Sequence, residues 1–214
     1  MDAIVSYSSA DLFLLSERVK SVIGRGGVVA IPTETFYGLA VDPFKEEAVE
    51  RLLRIKDRDR GKPVLVVIGA LKQLEGLVES IPPAAKSLMQ MFWPGPLTMI
   101  FPAKAMLPNS LTAGTGTVGI RLSSCGPLAE LLKLVGPLTG TSANRADRPP
   151  ARTAQIVEAC LRGRVDLIVD AGPAPGGLPS TVIDVRDPVR IVREGAVTRA
   201  QLEQILTARG ISLV

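Results

Sequence analysis

Apolar positions along this chain recur at two periods, and the elements follow from them. Leu12, Leu15, Val19, Val22 and Ile23 fall at helical spacing behind Ser9, a capping type, and Gly24, Gly26 and Gly27 close the segment. Residues 28–31 form a short β-branched run, read as a buried strand. Residues 46–55 return to helical spacing through Ala48, Val49, Leu52, Leu53 and Ile55, and 64–68 read as a second buried strand. Short helices are expected over 71–78 and 84–92, the second broken by Pro94-Gly95-Pro96 before a strand over 97–101.

Residues 117–122 are strand-like, 127–135 form a helix opened by Pro127, and 138–141 form a short strand before a polar turn. A helix over 153–161 precedes a strand over 167–169. The runs 181–185 and 189–192 predict a hairpin across Arg186-Asp187-Pro188, and 198–208 a terminal helix. Strands and helices alternate, with hairpin character late. That pattern predicts one α/β domain over 1–214, with a twisted mixed parallel/antiparallel sheet flanked by helices. The glycine- and proline-rich stretch 171–179 reads as a surface loop over a site.

Composition narrows the chemistry. The chain has 214 residues, enough for a sizeable core, and its formal net charge of +4 suits anionic ligands or serves solubility alone. Aromatic residues are only 4% of the chain, which argues against a stacking platform for single strands. There is no histidine, so histidine bases, Ser-His-Asp and Cys-His systems and His-ligated zinc are excluded. Cys125 and Cys160 have no metal-type spacing, and a reducing compartment is expected. Neither a signal peptide nor a run of membrane-spanning length is seen, so a cytoplasmic location and no membrane partner are expected.

Seven segments carry candidate chemistry. Pro32-Thr33-Glu34-Thr35 follows a buried strand, where ligands gather in open α/β sheets; its hydroxyls either bind a polar substrate or cap the next element. Lys56, Arg58, Arg60 and Lys62 crowd seven residues, with Gly61 among them and Pro63 directly after. A continuous helix would scatter them around its circumference, so the helix ends and the cations line a loop, facing phosphate or simply solvent. Trp93 reads as a corner residue of a rigid turn. Arg121 stands on an apolar strand and needs an anion, either an internal carboxylate or a ligand's. Thr139-Gly140-Thr141-Ser142-Ala143-Asn144 combines hydroxyls, an amide and a glycine that permits close approach, or is an ordinary capping turn. Ser180-Thr181 and Arg193-Glu194-Gly195 say little alone.

In order, residues 32–39, Lys56-Asp57-Arg58 with Lys62-Pro63, residues 93–98, Val118-Gly119-Ile120-Arg121, Ser142-Ala143-Asn144, Ser180-Thr181-Val182 and Arg193-Glu194-Gly195 resemble the YrdC-like family of threonylcarbamoyl-adenylate synthases. The resemblance implies that L-threonine, bicarbonate and ATP give threonylcarbamoyl-AMP and pyrophosphate, with Mg2+ held mainly by phosphates and no protein metal site. A separate threonylcarbamoyl transferase would then modify adenosine 37 of tRNA, and a direct contact with tRNA or double-stranded RNA is possible for such a basic face. It further implies that Thr33, Thr35, Tyr37, Arg121 and Thr141 form the amino-acid site, with Arg121 on the carboxylate. Lys56 and Arg58 would be the catalytic cations and, with Lys62, hold the phosphates. Thr117, Ser142, Asn144, Ser180 and Arg193 would contact the nucleotide, and Thr181 would line the same cleft.

Two positions depart from the family pattern. Val67 stands where many relatives carry a histidine, which removes a polar contact to threonine. The run from Arg145 to Ala151 replaces a small hydroxyl-bearing continuation. Two alternatives follow: a paralogue that adenylates another carbamate, and a non-catalytic module that binds RNA or nucleotide.

Overall fold

The computed structural model describes residues 3–144 and 149–214. The strands are β1 (Ala3–Ser6), β2 (Val29–Pro32), β3 (Tyr37–Ala40), β4 (Val66–Ile68), β5 (Leu97–Pro102), β6 (Thr117–Leu122), β7 (Leu138–Thr139), β8 (Thr141–Ser142), β9 (Leu167–Asp170), β10 (Thr181–Asp184) and β11 (Arg190–Arg193). The helices are α1 (Leu12–Gly24), α2 (Glu46–Lys56), α3 (Pro83–Phe92), α4 (Asn109–Thr112), α5 (Gly126–Val135), α6 (Ala154–Leu161) and α7 (Arg199–Thr207).

The α/β class with mixed pairing holds, but the strands divide into two sheets. One runs β1-β9-β2-β3-β8 and the other β11-β10-β5-β6-β4-β7. Alternation along β2 serves both sides of the first sheet. Val28 and Ala30 join the larger core, while Val29 and Ile31 pack with Leu15, Val19 and Val22 of α1 and Leu131 and Leu132 of α5.

The expected strand over 138–141 is two strands. Thr139 pairs with Val66 of β4, whereas Thr141 pairs with Leu39 of β3. The chain passes from one sheet to the other at Gly140, whose N–H donates to Leu65 O at 2.8 Å. A Cβ at Gly140 would lie 2.5 Å from Val67 Cγ2 and 3.1 Å from Leu65 Cδ1, so the crossing requires glycine.

Other expectations change in detail. Ser9 does not cap α1. Asp11 holds the cap position without a side-chain bond, because the first helical turn begins two residues later than the serine implied. Residues 71–78 shorten to a 3-10 helix, Leu71–Gly76. β3 escaped notice because all four residues are buried, leaving no alternation to read. β1 is an edge strand held by parallel pairing with β9, and α4 is a single turn. The hairpin of β10 and β11 forms as expected. Trp93 is the buried corner foreseen, its Nε1–H donating to Leu97 O at 2.7 Å. The run Arg145-Ala146-Asp147-Arg148 lies outside the described residues.

If the crossing is as tight as its distances, Gly140→Ala lowers unfolding stability by about 1–3 kcal/mol, the usual overpacking cost. Combining it with Val67→Ala relieves part of that loss. A urea double-mutant cycle should return a coupling of at least about 0.5 kcal/mol, and strict additivity would refute the contact.

Candidate functional site

The cleft is built where the two sheets meet. The turn between β2 and β3 forms one wall. Pro32 pairs with Tyr37, and Thr33 organises the four residues between. Its hydroxyl donates to Phe36 O at 2.8 Å and accepts from the N–H groups of Thr35, at 3.1 Å, and Phe36, at 3.3 Å. The turn therefore leads into a strand, and Thr33 serves the backbone. Thr35 Oγ1 lies 3.1 Å from Thr33 Oγ1.

The cationic wall begins at the end of α2. Asp57 takes a left-handed conformation, with φ 47°, and Arg58 N–H reaches back to Leu53 O at 3.1 Å. This closure stops the helix, so the later cations do line a loop. Arg58 donates to Pro63 O at 2.9 Å, which aims the loop along the cleft.

A cavity of about 930 Å³ lies between these walls, room for a nucleotide and a small second substrate. It is lined by Thr33, Thr35, Tyr37, Arg58, Lys62, Thr117, Arg121, Thr141, Ser142, Ser180 and Arg193. Lys56 and Asn144 are not on its surface. Lys56 is buried, and its Nζ donates to Ser142 O at 2.7 Å, Asn144 Oδ1 at 2.8 Å and Asn144 O. Ser142 Oγ donates to the same Asn144 Oδ1 at 2.6 Å. Lys56 thus clasps the segment that follows β8.

Tyr37 lines the cavity, but its hydroxyl is committed elsewhere. Its hydroxyl donates to Gly172 O at 2.8 Å, and burial beside Asp170 pushes its pKa well up. Thr181, by contrast, does not line the cleft: its hydroxyl donates to Val197 O and accepts from Val197 N–H at 3.0 Å. It belongs to the core, because successive residues of β10 face opposite sides. Ser180 does face the cavity, 3.0 Å from Thr98 Oγ1. Arg193 reaches across from β11 and donates to Ser180 O at 2.7 Å.

Glu34 and Ser123 complete the site. Glu34 Oε1 lies 3.1 Å from Arg121 Nε, and both side chains are largely buried. The distance is that of an ion pair, yet the N–H is not aimed at the oxygen, and Nε has no hydrogen-bond partner. Ser123 Oγ donates to Glu34 Oε2 at 2.9 Å. The internal partner expected for Arg121 is therefore Glu34, held from its far side by Ser123. Glu34 sits inside the turn whose hydroxyls drew attention, and its charge was the available signal.

Electrostatics mark the cleft as short of negative charge. Partial loss of water lowers the Arg193 pKa, and the like charges of Arg121 and Arg58 lower it further. Burial lowers Arg58 as well, with Asp59 opposing. Lys56 falls from 10.5 to about 8, through burial first and Arg58 second. Three arginines from α2's loop, β6 and β11 thus converge, and the geometry favours an anionic occupant.

Residues 21–195 match the sequence model of the Sua5/YciO/YrdC family, described as "Telomere recombination". The chain belongs to this family. It is 42% identical over 165 residues to a threonylcarbamoyl-AMP synthase of Pseudomonas fluorescens strain Pf0-1, covering 76% of this chain and 88% of that protein. It is 34% identical over 186 residues to a threonylcarbamoyl-AMP synthase of Pyrococcus abyssi, covering 86% of this chain. The match spans only about half of the P. abyssi protein, 55%. A crystal structure of P. abyssi Sua5 complexed with L-threonine superposes with a TM-score of 0.89 at 30% identity, over 100% of this chain and 62% of that one.

The lowered Lys56 pKa gives a direct check. An NMR titration should place its Nζ near pH 8, and Arg58→Gln should raise that value. Because the fold disfavours the charged form, this group adds stability as pH rises from about 8 through the unfolded value of 10.5. Lys56→Met should flatten that part of the curve, and a titration near 10.5 would refute the assignment.

Proposed function

We propose that this protein joins L-threonine, bicarbonate and ATP into threonylcarbamoyl-AMP, releasing pyrophosphate. The observation that carries the reading is the convergence of Arg58, Arg121 and Arg193 on one cavity. Arg121 lines it, and Glu34, 3.1 Å from its Nε without a hydrogen bond, leaves the guanidinium able to take a ligand carboxylate. The names of the relatives agree with this reaction.

The threonine amine and bicarbonate give a carbamate and water. A carbamate oxygen attacks the α-phosphorus, and the bond from that phosphorus to the bridging oxygen breaks as pyrophosphate leaves. The nucleophile is already anionic, so a chain without histidine suffices. Its residues act by positioning and charge neutralisation. Arg121 holds the threonine carboxylate, with Thr35 and Thr141 beside it and Thr33 shaping the turn. Arg58 and Lys62 take the phosphates, and Thr117, Ser142, Ser180 and Arg193 the nucleotide. Lys56 acts one step back, by fixing Ser142 and Asn144. Magnesium arrives on the ATP phosphates.

In this reading residues 1–214 act as one domain. The product passes to a separate transferase that modifies tRNA, with the basic face available to RNA. Among the described residues, no helix is long and apolar enough to cross a membrane. The cytoplasm, which supplies these substrates, is the expected location.

The test is pyrophosphate release with ATP, Mg2+ and labelled bicarbonate, with mass detection of the adenylate. Release should require threonine; release independent of threonine would sink the reading. Arg121→Ala should raise the KM for threonine at least tenfold, roughly the worth of one charge-assisted contact, and leave ATP binding nearly unchanged. Equal losses for both substrates would contradict the assignment.

A further inference from the structure

The carboxylate of Glu34 is held by one neighbour and only approached by the other. Ser123 N–H donates to Ile68 O at 3.1 Å, so the pairing of β6 with β4 continues one residue past Leu122. Strand residues alternate in direction, so Arg121 and Ser123 share a face. Glu34 meets that face from the turn between β2 and β3, which belongs to the other sheet. Ser123 Oγ donates to Glu34 Oε2 at 2.9 Å, while Arg121 Nε stands 3.1 Å from Glu34 Oε1 without a hydrogen bond.

The Ser123 hydroxyl is oriented for this task. It is buried and accepts from Cys125 N–H at 3.1 Å, which leaves its proton for the carboxylate. Glu34 and Arg121 are largely buried too, with side-chain exposures of 11% and 7%. In such surroundings a carboxylate and a guanidinium gain most from an aligned, charge-assisted hydrogen bond. Their separation already allows one; what is missing is direction. Rotation of the Glu34 carboxyl group would supply it, at the cost of the bond to Ser123.

We propose that Ser123 is a positioning residue for the amino-acid end of the cleft: by holding Glu34 Oε2, it stops the internal carboxylate from closing on Arg121 and keeps the guanidinium for a ligand's. The inference rests on the reading that Arg121 takes the threonine carboxylate. Neither Ser123 nor Glu34 is among the residues lining the cavity, so both act through Arg121. Loss of the Ser123 hydroxyl frees Glu34 to compete, whereas loss of the Glu34 charge removes the competitor. A residue that merely supports the fold would show no such dependence of one loss on the other.

Calorimetric titration of the full chain with L-threonine, and separately with α,β-methylene-ATP, tests this in Ser123→Ala, Glu34→Gln and the double variant. Ser123→Ala should weaken threonine binding at least about tenfold, the scale of one charge-assisted hydrogen bond, and leave the nucleotide analogue within about twofold. Glu34→Gln should bind threonine more tightly than the native chain, and the double variant should match it. An unchanged affinity in Ser123→Ala, a loss that Glu34→Gln does not relieve, or no gain in Glu34→Gln alone would each overturn the inference. The last of these decides the matter even where Ser123→Ala does not fold. Arg121→Ala keeps the two readings apart. If it weakens threonine binding and the Ser123 pattern is absent, this inference alone fails. If it leaves threonine binding intact, the carboxylate reading fails and takes this inference with it.

Discussion

The crossing at Gly140 is the constraint on which the rest of the cleft depends. One continuous segment contributes β7 to one sheet and β8 to the other, and only a residue without a side chain clears Val67 at the passage. Thr139 secures the near side, its N–H donating to Val41 O at 3.0 Å and its hydroxyl accepting from Val41 N–H at 2.9 Å. Lys56 secures the far side through Ser142 and Asn144. The two sheets are thereby fixed relative to one another, and the space between them becomes a cavity of defined width.

Charge is then placed in that space from separate parts of the chain. Arg58 follows the left-handed stop at Asp57, Arg121 stands on β6, and Arg193 ends β11. No two are close in sequence, so their mutual repulsion is imposed by tertiary packing. Glu34 offsets one of them without saturating it, because its 3.1 Å approach to Arg121 Nε makes no hydrogen bond. Arranged this way, the cleft presents uncompensated positive charge to an anionic occupant, the preorganisation that the proposed carbamate adenylation would need.

Much of this was legible in the sequence, for identifiable reasons. Helices with strong apolar spacing, such as α1 and α2, and β-branched runs, such as β2 and β4, announced themselves. β3 did not, because a strand buried on both faces has no alternation to read. The division into two sheets was hidden as well, since nothing local distinguishes the residues either side of Gly140. Most cleft residues were legible as hydroxyls and cations in odd places. Their roles were less so. Lys56 read as a phosphate ligand because its charge is visible in sequence, while its burial and its carbonyl partners belong to the fold. Beyond its charge, Glu34 carries no sequence signal of its role, because a carboxylate between two threonines looks like part of a turn until Arg121 is seen opposite.

In the proposed reaction the three converging arginines divide one cleft between a carboxylate and a phosphate chain. A crystal structure of the protein with L-threonine and α,β-methylene-ATP tests this most directly. The threonine carboxylate should lie on the Arg121 guanidinium, with the phosphates between Arg58 and Arg193. Phosphates on Arg121 with threonine elsewhere, or a nucleotide outside the cavity, would contradict it.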